Sequence, residues 1–248
     1  MKESSLVRKL GAWWGLVLAL TMTSALFTPV AAAEASSPQA APYVVGGTVA
    51  NDPRIVQLRF GQNGSTHGCT GEAIGAEWVL TARHCTDGIS WMDVHYSNST
   101  RFPGAPTPAD AVYNSPYGDV ALVHLSTPHE LSSYAPMADA YTPQPGDSGR
   151  IYGYGLRANR VRADHLYTAK VTVTGSSRDA YGGQAIHVTG VTGASNHGDS
   201  GGPLFVNGRI VGVCSTGDTA DPGADINAGS NYANLTAHRQ WIQQVSGI

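Results

Sequence analysis

The stretch GDSGGPLFVNGRIVGVCS, residues 198–215, sets Ser200 between an aspartate and two glycines, directly before apolar and β-branched sequence. A serine in that setting is a candidate for an exposed nucleophile. The chain holds a second copy of the tetrapeptide in GDSGR, residues 146–150, with Ser148 in the equivalent place. Which copy carries chemistry depends on what the rest of the chain supplies.

The composition favours a compact, turn-rich β protein. Of 248 residues, 42% are hydrophobic and only 13% are charged, with 30 Gly and 14 Pro. A chain of this size buries a full core in one or two lobes. The formal net charge of −3 offers no basic surface for nucleic acid and no polybasic patch for a membrane.

The N-terminal residues are typical of a secretory signal peptide. Basic residues precede an apolar run over 10–27, and small alanines follow at 31–33, so we expect residues 1–33 to be removed on export. The alternative is a retained membrane anchor, since the run is almost long enough to span a bilayer. A short polar linker, EASSPQAAPY, occupies residues 34–43.

Short β-branched and aromatic runs bounded by turn residues predict strands along most of the chain. They cover residues 54–60, 78–81, 90–96, 120–125, 150–154, 170–175, 185–190 and 209–215. Only the C-terminus has helical periodicity, with Thr236 as a candidate cap. The Pro-rich stretch 136–147 separates two halves that each hold enough strands for a small barrel. We therefore predict an all-β fold of two lobes with a terminal helix.

The cysteines agree with an exported protein. Cys69 and Cys85 bracket two strand-like stretches joined by a short turn. In an oxidising compartment we predict that they form a disulfide, which is worth about 3 kcal/mol for a loop of this size. Cys214 is left over, either as a small buried apolar residue in its strand or as a thiol near a substrate site.

A serine hydroxyl is a poor nucleophile at neutral pH and needs a positioned base, usually histidine, which in turn needs a carboxylate. His84 ends an apolar strand beside Cys85, and Asp119 stands directly before the apolar run 120–125. Taken singly, each has an ordinary alternative, His84 as a solvated turn residue and Asp119 as a strand-start cap.

Together these residues stand in three motifs that follow one another in the order His, Asp, Ser. The motifs are TARHC (81–85), GDVALVHL (118–125) and GDSGGPL (198–204). In order and local sequence they resemble the signatures of the chymotrypsin/trypsin family of secreted serine endopeptidases. Three further stretches are similar to that family: VVGGT (44–48), YGYG (152–155) and NYANLTAHRQWIQQ (231–244).

The resemblance spans residues 44–248 and implies a fold of two six-stranded antiparallel β-barrels with a C-terminal α-helix. The expected bounds are about 55–135 for barrel one, about 146–235 for barrel two and about 236–246 for the helix. It also implies Ser200 as the nucleophile, His84 as general base and acid, and Asp119 as the carboxylate that orients His84. The backbone N–H groups of Gly198 and Ser200 are expected to bind the oxyanion.

The resemblance also separates the two GDSG copies. Ser148 opens the first strand of the expected second barrel, and Arg150 stands where the matched copy has Gly202 for close backbone packing. Asp147 and Gly149 are then expected to serve turn geometry, and Ser148 is expected to be a turn residue.

Synthesis as a zymogen is a further implication. A carboxylate at Asp199 would be costly if it were buried alone, and in the family its partner is the α-amino group that activation releases. Here that group would come from Val44 after cleavage of the Tyr43–Val44 bond. Residues 34–43 are then a short activation propeptide.

The resemblance locates a specificity pocket. Ala194 stands six residues before Ser200, where trypsin-like members carry an acid, so we expect an apolar or aromatic side chain before the scissile bond. Tyr43 suits such a pocket, which allows self-activation. The other expected pocket residues are Ser195, Ser215, Thr216, Gly217 and Ser230.

Several residues depart from the family pattern. Arg83 stands where a small Ala is usual before the histidine, and we expect it to point to solvent. Asn196 and Thr216 replace a usual Cys and a usual Trp, so the pocket walls are expected to be looser or differently shaped. His197, beside Gly198, is a candidate for contact with substrate.

Neither a cofactor nor a metal is expected, because the histidines lack ligand spacing. The expected partners are protein or peptide substrates and protein inhibitors, with no nucleic acid and no membrane after signal removal, for a secreted monomer. The alternative function is a secreted binding module that keeps the fold and has lost catalysis. Such proteins usually lose a triad residue, and here His84, Asp119 and Ser200 are all present.

Overall fold

Two antiparallel β-barrels of six strands each form the fold. The structure, a computed structural model, describes residues 44–248. The predicted signal peptide and activation propeptide lie outside the described residues. The expected all-β architecture of two barrels and a C-terminal helix is confirmed.

The first barrel closes in the order β2-β3-β4-β7-β6-β5. Its strands are β2 (Ile55–Gln62), β3 (Ser65–Ala73), β4 (Trp78–Thr81), β5 (Ile89–His95), β6 (Thr107–Asn114) and β7 (Ala121–Leu125). Alternate side chains point inward, as the period of a strand requires, and Leu58, Leu80, Val94 and Leu122 are fully buried in its core.

The second barrel closes in the order β9-β10-β13-β12-β11-β8, with β8 pairing back onto β9. Its strands are β8 (Ser148–Gly153), β9 (Tyr167–Arg178), β10 (Gln184–Gly190), β11 (Pro203–Val206), β12 (Arg209–Gly217) and β13 (Gly229–Asn234). A short strand β1 (Thr48–Val49) adds to β9 from outside. Ile151, Ile186, Leu204 and Tyr232 lie in the core.

The chain ends in the helix α1 (Arg239–Ser246), which follows a 3₁₀ turn over Leu235–Ala237. The side chain of Asn234 accepts a hydrogen bond from the Thr236 backbone N–H at 3.0 Å, so the expectation that Thr236 caps the helix was wrong. Ile242 is completely buried and packs on the core of the first barrel. Within residues 44–248, the structure contains no helix with the length and apolar character needed to cross a bilayer.

Each of these runs overlaps a strand of the structure, but β1, β3, β6, β11 and β13 have no counterpart among the runs. In β6, Pro108 and Asp110 disfavour the strand conformation, and no residue of this strand is fully buried. The strand forms because β7 pairs with it over most of its length, whereas β5 pairs with it through only two residue pairs. Tertiary pairing therefore overrides local preference here.

Candidate active site

The three residues of the expected triad come from separate segments. His84 lies in a 3₁₀ turn over Arg83–Cys85, directly after β4. Asp119 precedes β7 and is completely buried. Ser200 lies in the loop that leads into β11, so the second barrel supplies the serine and the first supplies the other two side chains.

Asp119 holds His84 through two contacts. The His84 Nδ1 lies 2.7 Å from Asp119 Oδ2, and the His84 backbone N–H donates to Asp119 Oδ1 at 2.9 Å. Because a carboxylate accepts, Nδ1 carries the proton and Nε2 is left to act as a base. The Ser215 hydroxyl donates to Asp119 Oδ2 at 2.6 Å. The buried carboxylate is therefore stabilised by hydrogen bonds.

The disulfide between Cys69 and Cys85 joins β3 to the turn that carries His84, as predicted. Cys85 is completely buried. The bridge spans sixteen residues of sequence. It restrains the backbone directly after His84, in addition to the two contacts that Asp119 makes.

Thr70, on β3, fastens the Ser200 loop to the first barrel. Its backbone N–H donates to the Ser200 carbonyl at 2.9 Å, and its hydroxyl donates to the Gly198 carbonyl at 2.9 Å. The same hydroxyl accepts from the Tyr154 backbone N–H at 3.1 Å. These bonds fix the peptide planes of residues 198–200 relative to the first barrel.

Gly198 has the backbone conformation expected of a glycine at this point. Its φ is +95°, which side-chain-bearing residues rarely adopt. A Cβ there would lie 3.0 Å from the Gly155 Cα, so the close approach of the two loops also requires glycine. The positive φ turns the N–H of Gly198 relative to its neighbours, which is the kind of geometry that oxyanion-binding segments need.

His84 and Ser200 line one cavity of about 370 Å³. Four of the expected pocket residues line it as well: Ser195, Ser215, Thr216 and Gly217. The other two, Ala194 and Ser230, are buried and are not among its lining residues. The Ser230 and Ser195 hydroxyl oxygens are 2.6 Å apart, and the Ala194 N–H donates to the Val45 carbonyl at 2.8 Å.

Asp199 is buried beside this cavity. Its carboxylate accepts hydrogen bonds from the backbone N–H groups of Gly155 and Asn196, each at 2.8 Å. Burial nevertheless raises the pKa of Asp199 to about 7, against the opposing effect of the two N–H donors. A Cβ at Gly153 would lie 2.0 Å from Asp199 Oδ1. The glycines of the YGYG motif therefore make room for this carboxylate.

Val44 is buried, and the bridge between Val45 and Ala194 ties the start of the described chain to the segment that leads to Asp199. Among residues 44–248, Asp199 forms no ion pair with a basic side chain. A buried carboxyl with a raised pKa and no cationic partner is a site that favours a newly formed positive charge.

Arg83 does not extend into solvent as expected. Its guanidinium lies 4.4 Å from the centre of the Tyr181 ring, and its Nε lies 3.3 Å from the carboxylate of Asp87. A donor nitrogen also reaches the Ser115 carbonyl at 3.4 Å. The Arg83 guanidinium is therefore held by these three neighbouring residues.

Two further candidates, Cys214 and His197, line the same cavity. Cys214 is both a buried strand residue, 4% exposed, and a thiol that lines the cavity. Burial raises the pKa of this thiol to about 12. The His197 Nε2 lies 2.7 Å from the Ala220 carbonyl, so this side chain connects two loops at the cavity. As a metal site, the group of Cys69, His84 and Cys85 offers no thiolate, because both sulfurs are in the disulfide.

Sequence reasoning missed three contributions to the site. Ser215 was assigned to the pocket alone, although its hydroxyl serves Asp119. Thr70 was overlooked beside Cys69. Asp179, which accepts from the Asp119 backbone N–H, was overlooked as well. The first two stand next to residues already singled out, whereas nothing in the local sequence distinguishes Asp179.

Comparisons with known proteins find similar sequences among peptidases. A family model described as "Trypsin" matches residues 44–242. An "Uncharacterized peptidase" from Corynebacterium glutamicum (strain R) is 30% identical over 240 residues, covering 94% of this chain and 81% of that protein. "Serine protease 1" from Drosophila melanogaster is 32% identical over 225 residues, covering 79% of this chain and 82% of that protein.

A solved structure of mouse neuropsin, described as a serine protease expressed in the limbic system, is similar in fold. Its TM-score is 0.65 at 22% sequence identity, and the match covers 80% of this chain and 98% of that chain.

Proposed function

The chain belongs to the trypsin family of serine endopeptidases, and from that premise we propose that it is a secreted, chymotrypsin-like enzyme that uses Ser200, His84 and Asp119. Residues 1–33 act as its signal peptide, 34–43 as its propeptide and 44–248 as its protease domain. It acts as a monomer on protein or peptide substrates. The observation that carries this proposal is the 2.7 Å contact between His84 and Asp119 at a cavity that Ser200 also lines.

Catalysis begins when the Ser200 Oγ attacks the carbonyl carbon of the scissile bond and the His84 Nε2 takes its proton. The carbonyl electrons move to oxygen, and the N–H groups of Gly198 and Ser200 stabilise the resulting oxyanion. As the oxyanion collapses, the carbon–nitrogen bond breaks and His84 gives its proton to the leaving amine. An acyl-enzyme on Ser200 remains.

Water then completes the cycle. His84 removes a proton from water, the hydroxide attacks the acyl carbon, and the second oxyanion forms in the same place. Collapse returns the proton from His84 to the Ser200 oxygen and releases the acid product. Asp119 stays ionised throughout and stabilises the imidazolium, which is why its burial with three donors matters. Because an imidazole acts as a base only in its neutral form, activity is expected to fall in acid.

The pocket supports cleavage after apolar or aromatic residues. Ala194 supplies no carboxylate for a Lys or Arg side chain, and the Ser195 hydroxyl is engaged with Ser230. Asp218 also lines the cavity, but its carboxylate is held by His187 at 2.9 Å and by Asn231 at 3.2 Å. Hydrolysis of a peptide panel tests this directly. Cleavage mainly after Arg would contradict it.

The buried Asp199 supports activation by cleavage at Tyr43–Val44. The freed Val44 ammonium would pair with Asp199 and lower the pKa of its carboxyl from about 7. N-terminal sequencing of active protein is expected to start at Val44, and Asp199→Asn is expected to be cleaved normally yet to hydrolyse peptides at least about a hundredfold more slowly. Active protein that starts at Glu34 would contradict this proposal.

A further inference from the structure

A second cavity, of about 700 Å³, adjoins the oxyanion-binding segment. His197 and Gly198 line it, together with Cys69 of the disulfide. Three arginines also line it: Arg59, Arg101 and Arg162. We call this cavity the arginine cleft. All three arginines are exposed to solvent, so their charged ends are available to a ligand.

The position of the arginine cleft fixes which part of a substrate enters it. In the proposed function, the side chain before the scissile bond occupies the cavity that Ser200 and Thr216 line. The carbonyl that Ser200 attacks then faces the N–H of Gly198. His197 lines both cavities, and the chain that follows the scissile bond must continue past Gly198, away from the first cavity. It therefore runs into the arginine cleft.

The arginine cleft has an excess of positive charge. Among residues 44–248, Asp164 is the one acidic residue that lines it, and Arg101 lies 3.5 Å from that carboxylate. The Tyr167 hydroxyl also donates to Asp164, and this bond, assisted by Arg101, holds the pKa of Asp164 below its ordinary value. Asp164 is therefore anionic and neutralises one of the arginines.

The other two arginines are not neutralised in this way. Within residues 44–248, neither Arg59 nor Arg162 lies within ion-pair distance of a carboxylate. Asp93 lies directly opposite Arg59 on β5 and is half-buried, but the two side chains form no ion pair. His67 and His197 add no negative charge. Two guanidinium groups beside the leaving-group side of the bond thus remain for a substrate.

We propose that the arginine cleft binds acidic side chains in the first residues after the scissile bond, so that the enzyme prefers to cleave ahead of Asp or Glu. This inference rests on the proposed function, since it assumes that Ser200 attacks the bond. Guanidinium groups match carboxylates in geometry and bind them through paired hydrogen bonds. On the other side of the scissile bond, the described residues that line the cavity with Asp218 include no arginine that could bind an acidic side chain.

Internally quenched peptides test the proposal. They share an aromatic residue before the scissile bond and carry either Asp and Glu, Asn and Gln, or Lys at the positions after it. With active protein from the full chain, we expect kcat/KM for the acidic peptide to exceed that for the amide peptide by about tenfold at low salt. The ratio should shrink at about 1 M salt, and the lysine peptide should be the slowest.

A double variant, Arg59→Gln with Arg162→Gln, is expected to lower kcat/KM for the acidic peptide to that for the amide peptide. Arg150→Gln is the matched control, because Arg150 lines a separate cavity on the second barrel, and it should keep the full preference. Equal rates for acidic and amide peptides, or a preference that survives the double variant, would overturn the inference and leave the proposed function standing. Hydrolysis of none of the peptides would overturn both.

Discussion

The backbone N–H of Asp119 donates a hydrogen bond to the Asp179 carboxylate at 2.9 Å. Asp179 lies in the turn between β9 and β10, so the second barrel helps to position a residue of the first. The N–H groups of Tyr181 and Gly183 hold its other oxygen at 2.9 and 2.8 Å. A Cβ at Gly118 would lie 2.2 Å from this carboxylate, so a glycine before Asp119 is required for the contact.

Asp179 is therefore expected to act as a positioning residue for the triad. Asp179→Ala removes the acceptor and should lower kcat by about tenfold with little change in KM, because a buried N–H loses its partner and Asp119 shifts. Asp179→Asn keeps an acceptor oxygen and should recover most of the rate. Steady-state kinetics on both variants check this. An alanine variant with unaltered kcat would contradict it.

The hydroxyl of Thr70 is expected to matter for rate more than for binding. Thr70→Val keeps the shape and the backbone bond to Ser200, yet it removes the bond to the Gly198 carbonyl. We expect kcat to fall about fivefold to tenfold and KM to stay nearly constant, since the orientation of the oxyanion donors is affected. Thr107→Val is the control, because no residue of β6 lines either cavity. A loss confined to KM would argue against this role.

Glu72 is expected to give the protein an unusual dependence of stability on pH. Its side chain is completely buried, and neither carboxyl oxygen has a hydrogen-bond partner in the part of the chain that the structure describes. Burial raises the pKa of Glu72 well above its ordinary value. At pH values between the lower pKa of Glu72 in the unfolded chain and its higher pKa in the folded chain, the unfolded chain has lost the Glu72 proton that the folded chain keeps. The free energy of unfolding therefore falls as pH rises, by about 1.4 kcal/mol per pH unit in that interval.

Glu72→Gln removes this titration and is expected to be more stable than the parent protein near neutral pH. Below about pH 4 the two proteins should converge, because Glu72 is then protonated in both states. Urea unfolding across pH measures the difference. The exposed Glu77→Gln serves as the control and should leave the slope unchanged. The prediction would be contradicted if the difference in free energy of unfolding between Glu72→Gln and the parent protein were the same at acid and at neutral pH.

The disulfide should contribute to both stability and activity. Replacing Cys69 and Cys85 with alanine is expected to lower the free energy of unfolding by about 3 kcal/mol, as expected for a loop of this length. Activity should fall at temperatures where the variant is still folded, because Cys85 directly follows His84. Denaturant unfolding and a peptide assay on the same sample separate the two effects. Full activity in the variant would show that the bridge does not restrain the histidine.

Local patterns predicted the barrels and the order of the triad motifs. Strand runs such as 78–81 carry β-branched and aromatic residues whose preference agrees with their final environment. The glycines at 153 and 155 were visible as a motif, although only the structure shows that they accommodate Asp199. The sequence therefore predicted best where local preference and global fold agree.

The contacts that were missed join residues far apart in the chain. Thr70 and the Gly198 carbonyl are 128 positions apart, and Asp119 and Asp179 are 60 apart. No local pattern encodes these contacts, since they depend on how two barrels and a short hairpin pack. Ser148 opens the first strand of the second barrel as expected, but its assignment as a turn residue was wrong because it is already part of β8. The positive φ of the preceding turn falls on Gly146, and Gly149 packs its backbone against Leu204.

Chemical labelling tests the central claim most directly. Active protein is treated with an aryl phosphonate that reacts with activated serines, and the modified peptide is identified by mass spectrometry. We predict a single adduct on Ser200 and its loss in His84→Ala, whereas Ser148→Ala should label fully. An adduct on Ser148, or no adduct on protein that still hydrolyses peptides, would contradict the claim that Ser200 is the nucleophile activated by His84.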